Sequence, residues 1–497
     1  MAFDEMRDGE LARATYAEIT AWVERTPLDQ LQQKSAEAEL LFRRLGITFA
    51  VYGEGGDPER LIPFDIIPRI IAASEWRALA AGLEPRVRAL NAFLADIYNE
   101  QRILTAGIVP KALILENEAF EKQMVGFTPP GGIYTHISGI DMVRTGPDDF
   151  FVLEDNCRTP SGVSYMLENR EAMLRLFPRL CARHRLAPVN RYPEHLLATL
   201  KSVAPVGAGP DPTVVILTPG SFNSAYYEHC FLADEMGVEV VEGRDLTVEN
   251  DRVLMRTTAG LKQVDVIYRR IDDDFLDPEC FRADSLVGVP GVMRAYKAGH
   301  VTLANAPGAG IADDKAIYPY VPNMVRFYLD EEPMLANVPT WLCEREEDRA
   351  LVLSRLEELV VKLARGSGGY GMMVGPHADA ATRAEFARRI AEKPGDYIAQ
   401  PTLALSTVPT VAADGISPRH VDLRPFILFG QQEITIVPGG LTRVALRPGS
   451  LVVNSSQGGG TKDTWVLEDA PVMAQSMEPG MMTQTMGGMT QVLGGNR

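Results

Sequence analysis

The segment FFVLEDNCRTPSG, residues 150–162, closes an apolar run with a carboxylate and a carboxamide two positions apart, then turns through Thr-Pro-Ser-Gly. On a strand the i and i+2 side chains share a face, so Glu154 and Asn156 point the same way. Asp and Asn are also the ordinary residues of a chain leaving a sheet. The pair is nevertheless the oxygen-only ligand set that Mg²⁺ takes together with phosphate and water. Upstream, GIYTHISGIDMVRTGPDDFFVLEDN reads as two strands joined at residues 146–149. Asp141 then lies on the first strand and Glu154 on the second, near enough to share one ion.

The 497 residues suffice for roughly three domains, each with a core. An apolar fraction of 46% and a charged fraction of 23% are those of a globular chain. With 49 Lys and Arg against 66 Asp and Glu, the formal charge is -17, and there is no basic run. Nucleic acid and anionic membrane surfaces are therefore disfavoured as partners, and an anionic ligand must be held locally. The acidic start lacks the apolar core of a signal peptide, and no stretch approaches the ~18 apolar residues of a membrane span, so the expected location is cytoplasmic. Cysteines 157, 181, 230, 280 and 343 lie far apart with no CxxC, which suggests neither a disulfide framework nor a zinc site.

Five regions follow from the pattern. Residues 1–110 read as mainly helical, with apolar residues at helical spacing over 8–45 and 64–102. Residues 111–203 carry the opening motif and a helix over about 163–185, and APVGAGPDP at 204–212 is a linker. Residues 213–310 alternate strands with helices, the sign of a small α/β sheet. Strands dominate 311–469. Residues 470–497, rich in Met, Gly and Gln without a period, read as a flexible tail or a partner-binding strip.

The region 311–469 holds the other chemistry-bearing residues. Gly366, Gly368 and Gly371 satisfy GxGxxG, but that dinucleotide fingerprint needs a helix opening at the turn. Here GMMVGP continues in extended form, so a hairpin is expected, and a helix after Gly371 would instead mark a NAD-dependent oxidoreductase. A glycine hairpin is either a plain surface turn or a cradle of backbone N–H groups for phosphate. Lys362 ends the apolar strand LVVK just before it. Lys315 follows two aspartates in IADDKAIYPY at the start of an expected helix. Arg424 lies inside an otherwise apolar strand, and Arg443 and Arg447 follow in LTRVALRPG; arginines so placed pair with carboxylate or phosphate. NSSQGGG, 454–460, is a second loop of small residues. Neither GxSxG nor HExxH occurs.

This ordered set, from residue 51 to 469, resembles the circularly permuted ATP-grasp family, within it the type 2 group labelled glutathionylspermidine synthase-like. The resemblance implies an α+β / α/β chain with a permuted ATP-grasp core, a pre-ATP-grasp α/β domain over 213–310 and a helical N-terminal region. It implies ATP and Mg²⁺ as cofactors, with Lys315, Lys362 and the loop residues Gly366, Ser367, Gly368, Gly369 and Gly371 at the phosphates. Gln400 looks like the hinge residue near adenine. Glu154 and Asn156 with Asp141 look like the metal ligands, and Arg424, Arg443 and Asn454 like the groups around the transferred phosphate. Tyr227, Glu228, Arg269 and Arg270 are the candidates to face the substrates. The family pattern places the metal motif last; here it comes first, as a permutation at nearby termini produces. The implied activity is a carboxylate–amine ligase acting through an acylphosphate on amino-acid or peptide-like substrates. The competing reading is an ATP-binding scaffold without turnover that acts through protein partners, for which the tail offers a surface.

Overall fold

The computed structural model describes residues 2–50, 59–221, 223–366, 371–412, 415–454 and 458–469. Ser367, Gly368 and Gly369 and the Met-rich tail lie outside the described residues.

The hairpin of the opening motif forms as two antiparallel strands, Ile137–Arg144 and Phe150–Asn156, with Asp141 directly opposite Glu154. It sits inside a ten-stranded sheet. From one edge the order is Ala336–Asn337, Phe150–Asn156, Ile137–Arg144, Gly415–Arg424, Leu441–Val444, Gly460–Val466 and Phe64–Ile71, with three further strands branching from it. Ile137–Arg144 is buried along its whole length, as an interior strand covered on both faces must be.

The last strand of that order corrects one expectation. Residues 64–71, read as helical, form the strand Phe64–Ile71, parallel to Gly460–Val466 and buried at every position. In FDIIPRII the near-continuous apolar run satisfies helical spacing by accident, and its four isoleucines suit a strand buried on both faces. The helical pattern proper begins with Ala73–Tyr98, where the Glu75 carboxylate accepts from the Ala72 N–H at 2.8 Å. The N-terminal region thus supplies both a helical layer and an edge strand of the main sheet.

A second sheet is parallel and four-stranded, ordered Thr302–Ala304, Val266–Arg269, Val214–Leu217 and Glu239–Val241, as the alternation over 213–310 predicts. A third is antiparallel, ordered Trp341–Leu342, Tyr397–Pro401, Leu359–Leu363 and Met373–Val374. With the helix Ala380–Glu392 it encloses its own small core of Val352, Leu359, Val361, Phe386 and Ile390. Val361 pairs with Met373 in antiparallel fashion, and among the described residues after the glycine motif only a single 3₁₀ turn, Gly375–His377, precedes the α-helix that opens at Ala380. That connection is incompatible with a Rossmann turn. Among the described residues no helix is long and apolar enough to cross a membrane.

Candidate active site

One cavity of about 810 Å³ is lined by strands of the ten-stranded and the antiparallel sheets and by the segment 272–275, which follows a strand of the parallel sheet. Its floor is the opening hairpin. Glu154 follows a β-bulge: Asp141 pairs with Glu154 but Met142 pairs with Val152, which leaves Leu153 unpaired. The extra residue switches faces along the strand. Val152 goes to the core with Met142, while Leu153 and Glu154 line the cavity beside Val143 and Asp141. Asp155 turns to the other side and takes a buried pair of hydrogen bonds from Arg86, both 2.6 Å, which anchors the strand to the helix Ala73–Tyr98.

Asp141 departs from the role expected of it. Its carboxylate is buried and already committed: Arg424 binds both oxygens, and Arg443 Nη2 donates to Oδ2 at 2.6 Å. Burial opposes its ionisation, but Arg424 and then Arg443 outweigh that and hold its pKa far below the usual carboxylate range. We therefore reassign Asp141 from metal ligand to the residue that positions two guanidiniums, Arg443 being held further by Asp422 at 3.0 Å. Gly139 makes room for this, because a Cβ there would sit 3.2 Å from Arg424 Cδ. Glu154 and Asn156 remain available. Asn156 gives its amide to the Gly139 carbonyl at 3.1 Å, leaving its oxygen as acceptor, and Glu154, opposite Asp141, has Lys315 as its ion-pair partner at 3.4 Å. Among the described residues no group of three or more His, Cys, Asp and Glu suits a metal ion. Two protein oxygens completed by phosphate is the mode in which Mg²⁺ is held, so the pair fits that ion and an all-protein cage does not.

The two predicted lysines meet across this floor. Lys315 lies between short 3₁₀ turns, not at a helix start; its N–H bonds the Ala364 carbonyl at 3.0 Å and its Nζ the Gly366 carbonyl at 2.5 Å. It ties the base of the glycine hairpin to the Glu154 strand. Lys362 faces the cavity from Leu359–Leu363 with no hydrogen-bond or ion-pair partner among the described residues. Burial pushes its pKa down to about 8, with Glu154 opposing and Lys315 adding to the shift. On the neighbouring strand Gln400 is opposite Val360, lines the cavity and donates to Thr340 Oγ1 at 3.0 Å. Gly366 and Asn454 also line it. The sequence reading missed the apolar slot beside Gln400, formed by Val338, Leu403, Leu405 and Leu451 with Val143 and Leu153. Its only signal was the leucine spacing in TLAL.

Four candidates lie elsewhere. Tyr227, Glu228, Arg269 and Arg270 are absent from the cavity lining. Tyr227 bonds Glu168 at 3.1 Å. Arg269 is fully buried and donates to the carbonyls of Ile271 and Ala306 at 2.8 and 3.0 Å. Glu228 accepts from the N–H groups of Gly162 and Ser164 at 2.7 and 3.1 Å and from Arg270 at 3.3 Å, while Arg270 also holds the Pro160 carbonyl at 2.7 Å. Glu228 and Arg270 brace the Thr-Pro-Ser-Gly turn from behind. The turn itself needs Gly162, at φ 115° with Leu441 Cδ2 only 2.8 Å from where a Cβ would stand. Glu228→Gln keeps the shape but exchanges a charged acceptor for a neutral one, so unfolding in urea should show a loss of about 1.5–3 kcal/mol.

The arrangement is suited to a ligand with a flat apolar head and a polyanionic tail. It has an apolar slot with one amide, then two ammonium groups, two positioned guanidiniums and a pair of oxygen ligands. The chain belongs to the circularly permuted ATP-grasp type 2 family, whose model matches residues 68–445. An uncharacterized protein of Synechocystis is 56% identical, over 92% of this chain and 95% of its own length. A Frankia alni protein provisionally named glutamate–cysteine ligase 2-3 is 42% identical over 93% of this chain, which spans 54% of that longer protein. A glutathione synthetase like-effector from Globodera pallida shares the fold, with a TM-score of 0.58, 11% identity and coverage of 90% of this chain and 99% of its own.

Proposed function

We propose that the protein is an ATP- and Mg²⁺-dependent ligase that joins a carboxylate to an amine through an acylphosphate. The observation that carries this is the convergence of Lys315, Lys362, Gly366, Glu154, Asn156, Arg424 and Arg443 on one cavity with an apolar slot at its side. In such a reaction the acid's oxygen bonds the γ-phosphorus as ADP leaves, and the amine then bonds the acyl carbon as phosphate leaves. No side-chain nucleophile is required, and Cys157, the thiol next to the metal pair, is buried with its pKa raised by that burial. Catalysis then rests on position and charge. Lys362 and Lys315 neutralise phosphate oxygens as point charges, and Arg424 and Arg443 present donors held in place by Asp141 and Asp422. Glu154 and Asn156 hold Mg²⁺, which when bound screens the phosphate charge. The provisional ligase name of the Frankia relative agrees with this reading.

The test is a matrix of carboxylic acids and amines with MgATP. The expected result is phosphate release that needs both partners and equals the amide formed by mass spectrometry. Nucleotide binding with no phosphate release from any pair would overturn the ligase reading in favour of a scaffold.

A further inference from the structure

The segment Asp313-Asp314-Lys315 delivers more than a lysine, because its three consecutive side chains reach three different parts of the cavity wall. Lys315 stands 3.4 Å from Glu154 and holds the Gly366 carbonyl at 2.5 Å. Asp314 accepts from the Asn117 amide at 2.7 Å and closes its own turn on the Ala316 N–H, also at 2.7 Å. Asp313, half-buried on the cavity wall, turns to the metal motif. Its Oδ1 accepts from the Cys157 N–H at 2.5 Å and its Oδ2 from the Arg158 N–H at 3.4 Å. These two residues follow Asn156 directly, and their carbonyls accept from the Asn305 amide at 2.6 and 3.3 Å. Both sides of the strand exit are thus held by side chains, with Asp155 anchored to Arg86 on the other flank of Asn156.

The ammonium of Lys315 and the oxygen pair of Glu154 and Asn156 come from segments far apart in the chain, yet both must meet the same phosphate. The Lys315–Glu154 ion pair cannot keep that register by itself, since Glu154 gives up this partner when it ligates a metal. The contacts of Asp313 go to backbone N–H groups, for which a metal does not compete, and a carboxylate accepting from N–H is among the stronger hydrogen bonds. We propose that Asp313 is a positioning residue that keeps Lys315 in register with the Glu154–Asn156 pair and so couples nucleotide binding to Mg²⁺. The inference rests on the nucleotide and Mg²⁺ part of the proposed function and not on the product formed.

Titration calorimetry of the full chain with a non-hydrolysable ATP analogue, once with Mg²⁺ and once with EDTA, tests this. Asp313→Asn keeps the shape but turns an NH₂ group toward one of the two N–H donors. It should weaken binding with Mg²⁺ by about 10–100-fold, the range for losing an outer partner of a metal ligand, and change binding in EDTA little. In a Glu154→Gln background, where the metal pair is already broken, the same substitution should cause no further loss. Asp313→Glu keeps the charge and both acceptors on a longer stem, so its loss should be the smaller of the two, and it carries the test should the Asn variant not fold. Equal weakening with and without Mg²⁺, an equal loss on the Glu154→Gln background, or Mg²⁺-dependent binding that Asp313→Asn leaves unchanged overturns the proposal. Asp313-sensitive Mg²⁺ coupling with no amide from any acid and amine would remove the ligase and leave this assignment standing. Amide formation by the wild type, with coupling intact in Asp313→Asn, would do the reverse.

Discussion

Lys362→Met should lower ATP-dependent turnover by about 10²–10³-fold, the range for deleting one preorganised group that faces developing charge. Unlike most buried-charge substitutions it should not cost stability. The ammonium has no partner among the described residues to leave orphaned, and a thioether of similar length fills the same space without the desolvation that already depresses the pKa to about 8. The sign of the pH dependence follows from that shift. A lysine lowered to about 8 is charged below that pH and neutral above it, so nucleotide affinity should fall as the pH passes upward through 8. Lys362→Arg, whose guanidinium stays charged, should bind nucleotide with a flat profile over the same range even where misplacement of the charge slows turnover. Equilibrium nucleotide binding against pH, paired with thermal unfolding of each variant, measures both claims. A Met variant that unfolds earlier and keeps its turnover would assign Lys362 to structure.

What was legible in the sequence was whatever a single strand period or one loop could carry. Glu154 and Asn156 share a face because strands alternate, and Lys362 ends a strand whose neighbours are apolar; the structure brings all three to one cavity. What was hidden depended on partners distant in sequence. Nothing in GIDMVR shows that the Asp141 carboxylate is spent on Arg424 and Arg443, some three hundred residues later. Arg269 and Arg270 have the composition of a ligand site, yet they are consumed by backbone carbonyls that only the fold delivers. Residues 64–71 misled because a short, largely apolar run, broken only by Asp65, Pro68 and Arg69, fits helical spacing as well as a buried strand.

Glu5→Ala should cost about 3–5 kcal/mol, a large part of the roughly 5–15 kcal/mol that holds a domain together. Glu5 lies near the start of the chain but is buried in the main sheet, where Arg69 donates to it at 2.9 and 2.5 Å and Ser406 at 2.5 Å. Arg144 stands 3.7 Å away. Removing the carboxylate strands two buried guanidiniums, of which only Arg144 has a second carboxylate, Glu75 at 2.5 Å. The consequence reaches the active site, because Arg69 also donates to the Asp422 carbonyl at 2.9 Å, on the strand that carries Arg424. Although burial raises the Glu5 pKa, Arg69 and Arg144 bring it below its ordinary value. A carboxylate depressed by folding stabilises above its unfolded pKa and loses that contribution as the pH falls through its folded one. The gap between the wild type and Glu5→Gln should therefore be widest near neutrality and shrink in acid. Urea midpoints across an acid series measure it; a gap below about 1 kcal/mol at neutral pH, the level of an exposed pair, would mean that the N-terminal segment is not seated in the sheet.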